Sequence, residues 1–324
     1  MTHAVRIHQP GGPEALVYEA VEVGAPGPGQ ALLRQTAIGV NFIDVYHRSG
    51  LYPVPTPFVP GSEGAGVVEA VGPGVTEVAV GDRVAYSTPL GGYAERRLIQ
   101  ADRLVKVPDG IDDATAAAMM LKGMTACYLL RATFSVGPST SLLFHAAAGG
   151  VGLIAGQWAR HLGARHVIGT VGSAAKVEEA RAHGYTDVID TSREDFVARV
   201  REITGGAGVD VVYDSVGKDT FPASLDCLRV RGLWVTFGQS SGALPPVDTA
   251  LFNQKGSLFM TRPSLFHYTA SRDDLLKTAG ELFEVVRSGA VKIPVNQTYA
   301  LKDAAKAHAD LTARRTTGTT VLIP

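Results

Sequence analysis

Between residue 139 and about residue 237 short apolar runs alternate with amphipathic stretches. The runs at 142–145, 166–171, 187–190, 209–214 and 233–237 are rich in β-branched and apolar residues and predict strands. Helical spacing fills the gaps at 150–163, 174–183, 194–203 and 219–228. Such alternation predicts an α/β fold with a parallel sheet and helices on both faces. Residues 1 to about 115 read differently. Their apolar runs are short and punctuated by Pro26-Gly-Pro-Gly29, Gly72-Pro-Gly74 and Gly81-Asp82, the pattern of a small, partly open β-barrel. The Ala-rich segment 112–130 predicts a helix up to 122–127 and a second helix after it, with the first domain boundary there. Beyond Pro245-Pro246, residues 256–261 predict one more strand. Ser271-Arg-Asp-Asp274 is a capping box for a helix with Leu275, Ala279, Leu282 and Val286 on one face, ended by Gly289. The tail, 317–323, predicts a last strand that returns to the first module.

The first predicted strand of the alternating region runs into Ala146-Ala-Ala-Gly-Gly-Val-Gly152, and the predicted helix follows with Val151, Ile154, Ala155, Trp158 and Leu162 on one face. This is the strand–turn–helix context of a dinucleotide fingerprint, with Ala147, Gly149 and Gly152 at the three small positions. Gly149 permits close backbone approach to a pyrophosphate and Gly152 permits close helix–strand packing; the helix start, including Gly150 and Val151, offers N–H groups and a partial positive charge. A tight connection without a ligand gives the same pattern, so the rest of the chain must decide. About 20 positions beyond the fingerprint, NAD-binding folds carry an acid for the ribose 2′-OH. Here the chain reads Val171-Gly172-Ser173-Ala-Ala-Lys176, with the first carboxylate at Glu178. A hydroxyl and an ammonium without an acid suit a 2′-phosphate, hence NADPH; the competing reading of Lys176 is a solvated helix lysine.

Composition narrows the class. The 324 residues suffice for two domains, 45% are hydrophobic and 19% charged, and the net charge is −1. The densest basic pairs, Arg96-Arg97 and Arg314-Arg315, are too short for a nucleic-acid footprint. Cys127 and Cys227 sit in apolar contexts and read as reduced core thiols, which excludes a cysteine-based structural zinc site. No apolar run approaches the roughly 18 residues of a membrane span, and the N-terminus lacks a signal peptide's apolar region. A cytoplasmic protein with no membrane or nucleic-acid partner is expected.

The chain resembles the zinc-independent branch of the medium-chain dehydrogenase/reductase family, in its NADPH:quinone oxidoreductase (ζ-crystallin-like) subfamily. The likeness runs the whole length through Gly11-Gly-Pro-Glu14, Ile38-Gly-Val-Asn-Phe-Ile-Asp44, Arg48-Ser-Gly-Leu-Tyr52, Gly81-Asp-Arg-Val84, Leu121-Lys-Gly-Met-Thr125, His145 to Gly152, Val212-Tyr-Asp-Ser-Val-Gly217, Phe237-Gly-Gln-Ser-Ser-Gly242 and Asn253-Gln-Lys-Gly-Ser257. It implies a Rossmann domain, a doubly wound parallel sheet over 126–264, inserted into a GroES-like β-barrel domain of 1–125 plus 265–324. It also implies a cofactor held between them and a homodimer. The segment Leu258-Phe-Met260 is either the edge strand pairing across the twofold axis or a strand buried within one chain.

In zinc-dependent relatives a Cys, a His and a later Cys or carboxylate bind the catalytic metal. The matching positions are Asn41, Ser62 and Leu121, none a useful zinc ligand, so no metal is expected. The resemblance sets Asn41, Phe42, Asp44 and Tyr46 beside the nicotinamide, with Tyr52 and Thr125 nearby. Tyr46, Tyr52 and Asn41 are the catalytic candidates; Tyr46 and Tyr52 either donate to the acceptor carbonyl or serve as aromatic packing. Lys122 is a lesser candidate. Tyr128 is assigned to the adenine ribose region, and Ser173 with Lys176 to the 2′-phosphate. Ser215 and Phe237-Gly238-Gln239-Ser240 belong to loops at strand carboxyl ends, where ligands bind in such sheets. Arg314 matches a cofactor-contacting position, its alternative being a solvated arginine. Where the subfamily often has a Tyr after the third strand, this chain has Asp190-Thr-Ser-Arg193, so Arg193 either replaces it electrostatically or the NADPH preference weakens.

The implied activity is metal-free hydride transfer from NADPH to a quinone. Reduction of α,β-unsaturated aldehydes or ketones is the enzymatic alternative. A crystallin-like or RNA-binding role is the non-enzymatic one, and the near-neutral charge argues against RNA.

Overall fold

In the computed structural model, which describes residues 2–324, the early strands stop where the glycines and prolines fall. Strands β1 (Thr2–Arg6) and β2 (Val17–Val21) pair as an antiparallel hairpin. Strand β3 (Gln30–Val40) starts after Pro26-Gly-Pro-Gly29 and is followed by helix α1 (Phe42–Arg48). Then come β4 (Glu63–Val71), β5 (Arg83–Ser87), β6 (Arg96–Gln100), β7 (Val105–Lys106) and helix α2 (Asp113–Tyr128). The alternating region supplies β8 (Ser141–Phe144), α3 (Gly150–His161), β9 (His166–Val171), α4 (Val177–Ala182), β10 (Asp187–Asp190), α5 (Phe196–Ile203), β11 (Val209–Asp214), α6 (Ala223–Asp226) and β12 (Leu228–Thr236). It continues through α7 (Ala250–Gln254), β13 (Phe259–Thr261) and α8 (Leu265–Tyr268). Helix α9 (Arg272–Arg287), β14 (Val295–Ala300), α10 (Ala304–Thr312) and β15 (Thr319–Ile323) complete the chain.

Two compact units result. One holds the residues up to Met124 together with Thr269–Arg287 and Ile293–Pro324; the other holds Thr125–Tyr268 and Ser288–Lys292. In the first, the seven-stranded sheet runs β14-β15-β3-β4-β5-β7, and β6 pairs with the other end of β3. The tail does return: β15 pairs antiparallel with β3 through Thr320–Val40 and Leu322–Ile38. Inward residues Leu33, Val84, Tyr86 and Ile99 form one core; Val5, Ile38, Tyr93 and Leu322 form another. The second unit is a six-stranded, all-parallel sheet in the order β10-β9-β8-β11-β12-β13, the 3-2-1-4-5-6 order of a dinucleotide-binding sheet. Leu143, Ile168, Ile189, Val212 and Trp234 fill its core. The fold class read from the pattern is the one observed.

Two local expectations are corrected. The predicted interruption at 122–127 is absent: α2 continues to Tyr128 and ends in one π-turn, Leu129–Thr133. Gly123 serves packing there. A Cβ on it would lie 2.6 Å from Leu282 Cδ1 of α9, so glycine lets the fully buried Leu282 seat against α2, a burial worth roughly 1.5–3 kcal/mol. The helix expected at 219–228 shrinks to four residues and β12 begins at Leu228 rather than 233. Pro222 has no N–H and its ring clashes with a preceding helical carbonyl, so a helix can start beside it but not pass through it.

Candidate active site

Because the second sheet is all parallel, its strand carboxyl ends share one edge, and the loops leaving that edge carry most of the predicted cofactor residues. Gly149 is the N-cap of α3, and Gly150, Val151 and Gly152 form its first turn. A Cβ on Gly152 would stand 2.5 Å from Ala147 O and 2.6 Å from Ala146 O, so only glycine lets the helix start this close to β8. Gly172 and Ser173 follow β9, Ser173 N-caps the 3-10 turn Ala174–Lys176, and no carboxylate intervenes. Arg193 follows β10, which pairs with β9 through Asp190–Val171. It is exposed, with Nε 3.8 Å from Asp190 Oδ2. Asp190 itself turns inward to its own loop, accepting from Ser192 N at 3.0 Å and Ser192 Oγ at 2.7 Å. Ser215 follows β11 and the 237–240 loop follows β12; Ser240 N donates to Ser215 O at 3.0 Å, holding the two loops together. Tyr128 is buried and stacks on Tyr268 with centroids 4.4 Å apart, and burial pushes its hydroxyl pKa up. Thr125, one turn before it, is also buried.

These loops are held from below by Asp214, at the end of β11. Its Oδ1 accepts from Val216 N and Gly217 N, and its Oδ2 from Thr220 Oγ1, Ser224 Oγ and Trp234 Nε1. Ser224 Oγ also meets His145 Nε2 at 3.0 Å, and His145 Nδ1 meets Thr170 Oγ1 at 2.9 Å. Burial lowers the pKa of His145, against the pull of Asp214.

The remaining candidates lie in the first unit, at the start of α1. Asn41 is the N-cap, and Asp44 forms the reciprocal half of a capping box, accepting from Asn41 N at 2.9 Å. Phe42, Tyr46 and Tyr52 make an aromatic run, with centroids 5.9 Å apart for Phe42–Tyr46 and 5.1 Å for Tyr46–Tyr52. Tyr46 is buried and Tyr52 half-buried. Arg314 is exposed, after α10, in the loop leading to β15. Among the described residues no group of three or more His, Cys, Asp or Glu side chains is arranged to hold a metal ion, and no helix is long and apolar enough to cross a membrane.

Behind Asn41 and Asp44 stands a buried polar network that the sequence reading missed. Asp44 Oδ1 accepts from Ser62 Oγ at 3.0 Å and Oδ2 from Tyr93 Oη at 3.1 Å. His308 Nε2 is 2.8 Å from Tyr93 Oη and its Nδ1 is 3.2 Å from Arg48 Nη1. Arg48 has only N–H groups to offer, so Nδ1 accepts and Nε2 carries the hydrogen. The chain of donation therefore runs Arg48 to His308 to Tyr93 to Asp44. Glu63, fully buried, accepts from Asn41 Nδ2 at 3.0 Å and Leu121 N at 2.6 Å and pairs with Lys122 Nζ. Asp44 and Glu63 were visible as acids; their partners stand up to 59 residues away along the sequence, and Arg48 and His308 of the same network are 260 apart, where no local pattern reaches.

Burial raises the pKa of Asp44 to about 7 despite the hydrogen bonds it accepts, and burial, then the Arg48 charge, lowers that of His308 to about 3. The signs oppose. A raised carboxyl stabilises the fold fully below its unfolded pKa of 3.8 and loses that contribution as pH rises through 7. A depressed histidine stabilises fully above its unfolded 6.5 and loses that contribution as pH falls towards 3. Over pH ~4–6.5 the two slopes offset each other, each at most about 1.4 kcal/mol per pH unit. Asp44→Asn is expected to make the urea midpoint fall more steeply on acidification than in the parent, and His308→Gln to reverse that tilt. Parallel midpoint profiles for all three proteins would refute both assignments.

A 3-2-1-4-5-6 sheet with a glycine turn at its switch point, inserted in a chain whose two ends build one β-domain, defines a two-domain dehydrogenase/reductase. Comparison with known proteins narrows the class. Residues 27–109 match the alcohol dehydrogenase GroES-like domain and residues 150–284 the zinc-binding dehydrogenase family. A quinone oxidoreductase of Pseudomonas aeruginosa is 53% identical, over 97% of each chain. A 2-haloacrylate reductase of a Burkholderia species is 50% identical, over 100% of this chain and 99% of the relative. The crystal structure of Escherichia coli quinone oxidoreductase complexed with NADPH superposes with a TM-score of 0.97 at 49% identity, covering 99% of this chain and 100% of that one. The chain belongs to the quinone oxidoreductase family, in the zinc-independent branch of the medium-chain dehydrogenases/reductases.

Proposed function

We propose that this protein is an NADPH-dependent quinone oxidoreductase that transfers hydride without a metal. The observation that carries the reading is end-to-end similarity, 53% over 97% of both chains, to a quinone oxidoreductase. The acid-free corner after β9 supports NADPH as the cofactor. When bound, the reduced nicotinamide supplies the hydride. The protein's part is to bind and orient. The α3 start from Gly149 to Gly152 offers N–H groups to the pyrophosphate; Gly172, Ser173, Lys176 and Arg193 hold the 2′-phosphate. Thr125, Tyr128, Ser215, Phe237, Gly238, Gln239, Ser240 and Arg314 complete the cofactor contacts. Asn41, Phe42, Asp44 and Tyr46 take the nicotinamide half, and Tyr46 or Tyr52 donates to the acceptor oxygen as charge develops on it. The test is NADPH oxidation with a naphthoquinone: turnover is expected, and no NADPH oxidation with any quinone offered would overturn the reading.

The similarity to a 2-haloacrylate reductase favours a second reading, hydride addition to an activated C=C. Side-by-side kcat/KM values for the naphthoquinone and a 2-haloacrylate decide between them.

We further assign a homodimer formed through β13. This strand is a sheet edge with Phe259 59% and Met260 42% exposed, and an unpaired apolar edge invites pairing. Phe259→Lys combined with Met260→Lys is expected to give monomers by light scattering where the parent is dimeric; a monomeric parent would refute the assignment. Two buried cysteines that form no disulfide, with the Cys227 thiol pushed up to about 12 by burial, fit a cytoplasmic location.

A further inference from the structure

Asn41 has a fixed hydrogen-bond polarity. Its Nδ2 hydrogens go to Glu63 Oε1 at 3.0 Å and Gly39 O at 3.4 Å. A flipped amide would turn its oxygen on a carboxylate and a carbonyl. Glu63 is kept an acceptor by its own surroundings: it is fully buried, paired with the Lys122 ammonium and bonded to the Leu121 N–H. An ionised carboxylate can only accept.

We infer that Asn41 meets its ligand only as a hydrogen-bond acceptor, through the remaining capacity of its carbonyl oxygen, and that Glu63 is the positioning residue that fixes this polarity. The inference rests on the proposed cofactor reading, which gives Asn41 the nicotinamide half. Its consequence is a division of labour. Asn41 accepts from an N–H or O–H of the cofactor, either the carboxamide amino group or a ribose hydroxyl, and contributes nothing to the oxyanion that develops on the acceptor. That charge falls to the tyrosine hydroxyls. The Glu63–Lys122 pair, meanwhile, is buried and acts through the bond that Glu63 makes to Asn41.

The experiment compares the parent with Asn41→Ala, Glu63→Gln and the paired variant Glu63→Gln with Lys122→Met. The pair is included because Glu63→Gln alone strands a buried ammonium, whereas removing both charges does not. Fluorescence titration gives Kd for NADPH and for its analogue with an acetyl group in place of the carboxamide, and steady-state kinetics gives kcat with a naphthoquinone. Loss of one hydrogen bond is about a fivefold to tenfold weakening. Kd for NADPH is therefore expected to rise by about that factor in Asn41→Ala and the paired variant, more than kcat falls. If the carboxamide is the donor, the parent already binds the acetyl analogue that much more weakly and Asn41→Ala adds no further loss. If a ribose hydroxyl is the donor, Asn41→Ala weakens both ligands equally. An unchanged Kd with a tenfold or greater fall in kcat would make Asn41 a donor to the acceptor and overturn the inference. Unchanged binding in the paired variant with weakened binding in Asn41→Ala would overturn the role of Glu63. A parent that does not bind NADPH at all would instead refute the cofactor reading on which both rest.

Discussion

Lys176→Glu is expected to raise KM for NADPH by about two orders of magnitude while leaving KM for NADH within about threefold. Lys176 ends the 3-10 turn capped by Ser173, directly beyond the carboxyl end of β9. A charge-assisted hydrogen bond is worth roughly 1.5–3 kcal/mol, so deleting it costs a factor of about 10–150, and a carboxylate adds repulsion from a dianionic phosphate. Lys176→Ala should therefore lie between parent and Lys176→Glu. NADH has no 2′-phosphate to lose, which makes the ratio of the two KM values the informative readout and cancels any general damage to the fold. Arg193 is on the neighbouring strand end but is 73% exposed and 3.8 Å from Asp190, so its field is screened and partly spent. Arg193→Ala is expected to move the ratio only about twofold to threefold. Equal losses with both cofactors in Lys176→Glu would place the 2′-phosphate elsewhere.

The two cations differ in how far local sequence bears on them. Lys176 is proposed from the sequence because its position is counted from a local motif and because a missing acid is as visible as a present one. The parallel sheet was legible for a similar reason. Its central strands are mostly buried and read as short, largely apolar runs, as in Val209-Asp-Val-Val-Tyr213. The length of α2 was not legible, since Gly123 breaks a helix on propensity and is retained for contact with Leu282, a residue of a distant helix. The same holds for the site's support. Tyr93 joins Asp44 to His308 across 49 and 215 residues of sequence, and each of the three alone resembles an ordinary core or surface residue. Spacing rules describe what one element does with its own side chains; a polar network assembled from β4, α1, α10 and the Tyr93 segment exists only once the β-domain closes. Asn41 shows both limits. Family resemblance proposes its place near the nicotinamide, whereas the acceptor polarity inferred for it depends on Glu63.

Asp214→Ala is expected to be the most destabilising single substitution in the nucleotide-binding unit, lowering stability by on the order of 3–5 kcal/mol in urea unfolding. The carboxylate is fully buried and takes five donors: two backbone N–H groups of the turn after β11, two hydroxyls around α6 and the Trp234 indole of β12. Alanine would orphan the two N–H groups and the indole in a dry site, whereas the Thr220 and Ser224 hydroxyls can turn to Gly217 O and Thr220 O; each orphaned buried donor costs about 1–3 kcal/mol before relaxation or an entering water recovers part. Asp214→Asn keeps one acceptor oxygen and turns an NH2 on donors, so about half of the loss is expected. Function follows the same geometry. The turn held by Val216 N and Gly217 N carries Ser215, whose carbonyl accepts Ser240 N of the opposite loop. NADPH affinity is therefore expected to fall in Asp214→Asn even at temperatures where the protein remains folded, although Asp214 is fully buried beneath the loops. Full NADPH affinity in a folded Asp214→Asn protein would show that the two loops keep their positions without the carboxylate beneath them.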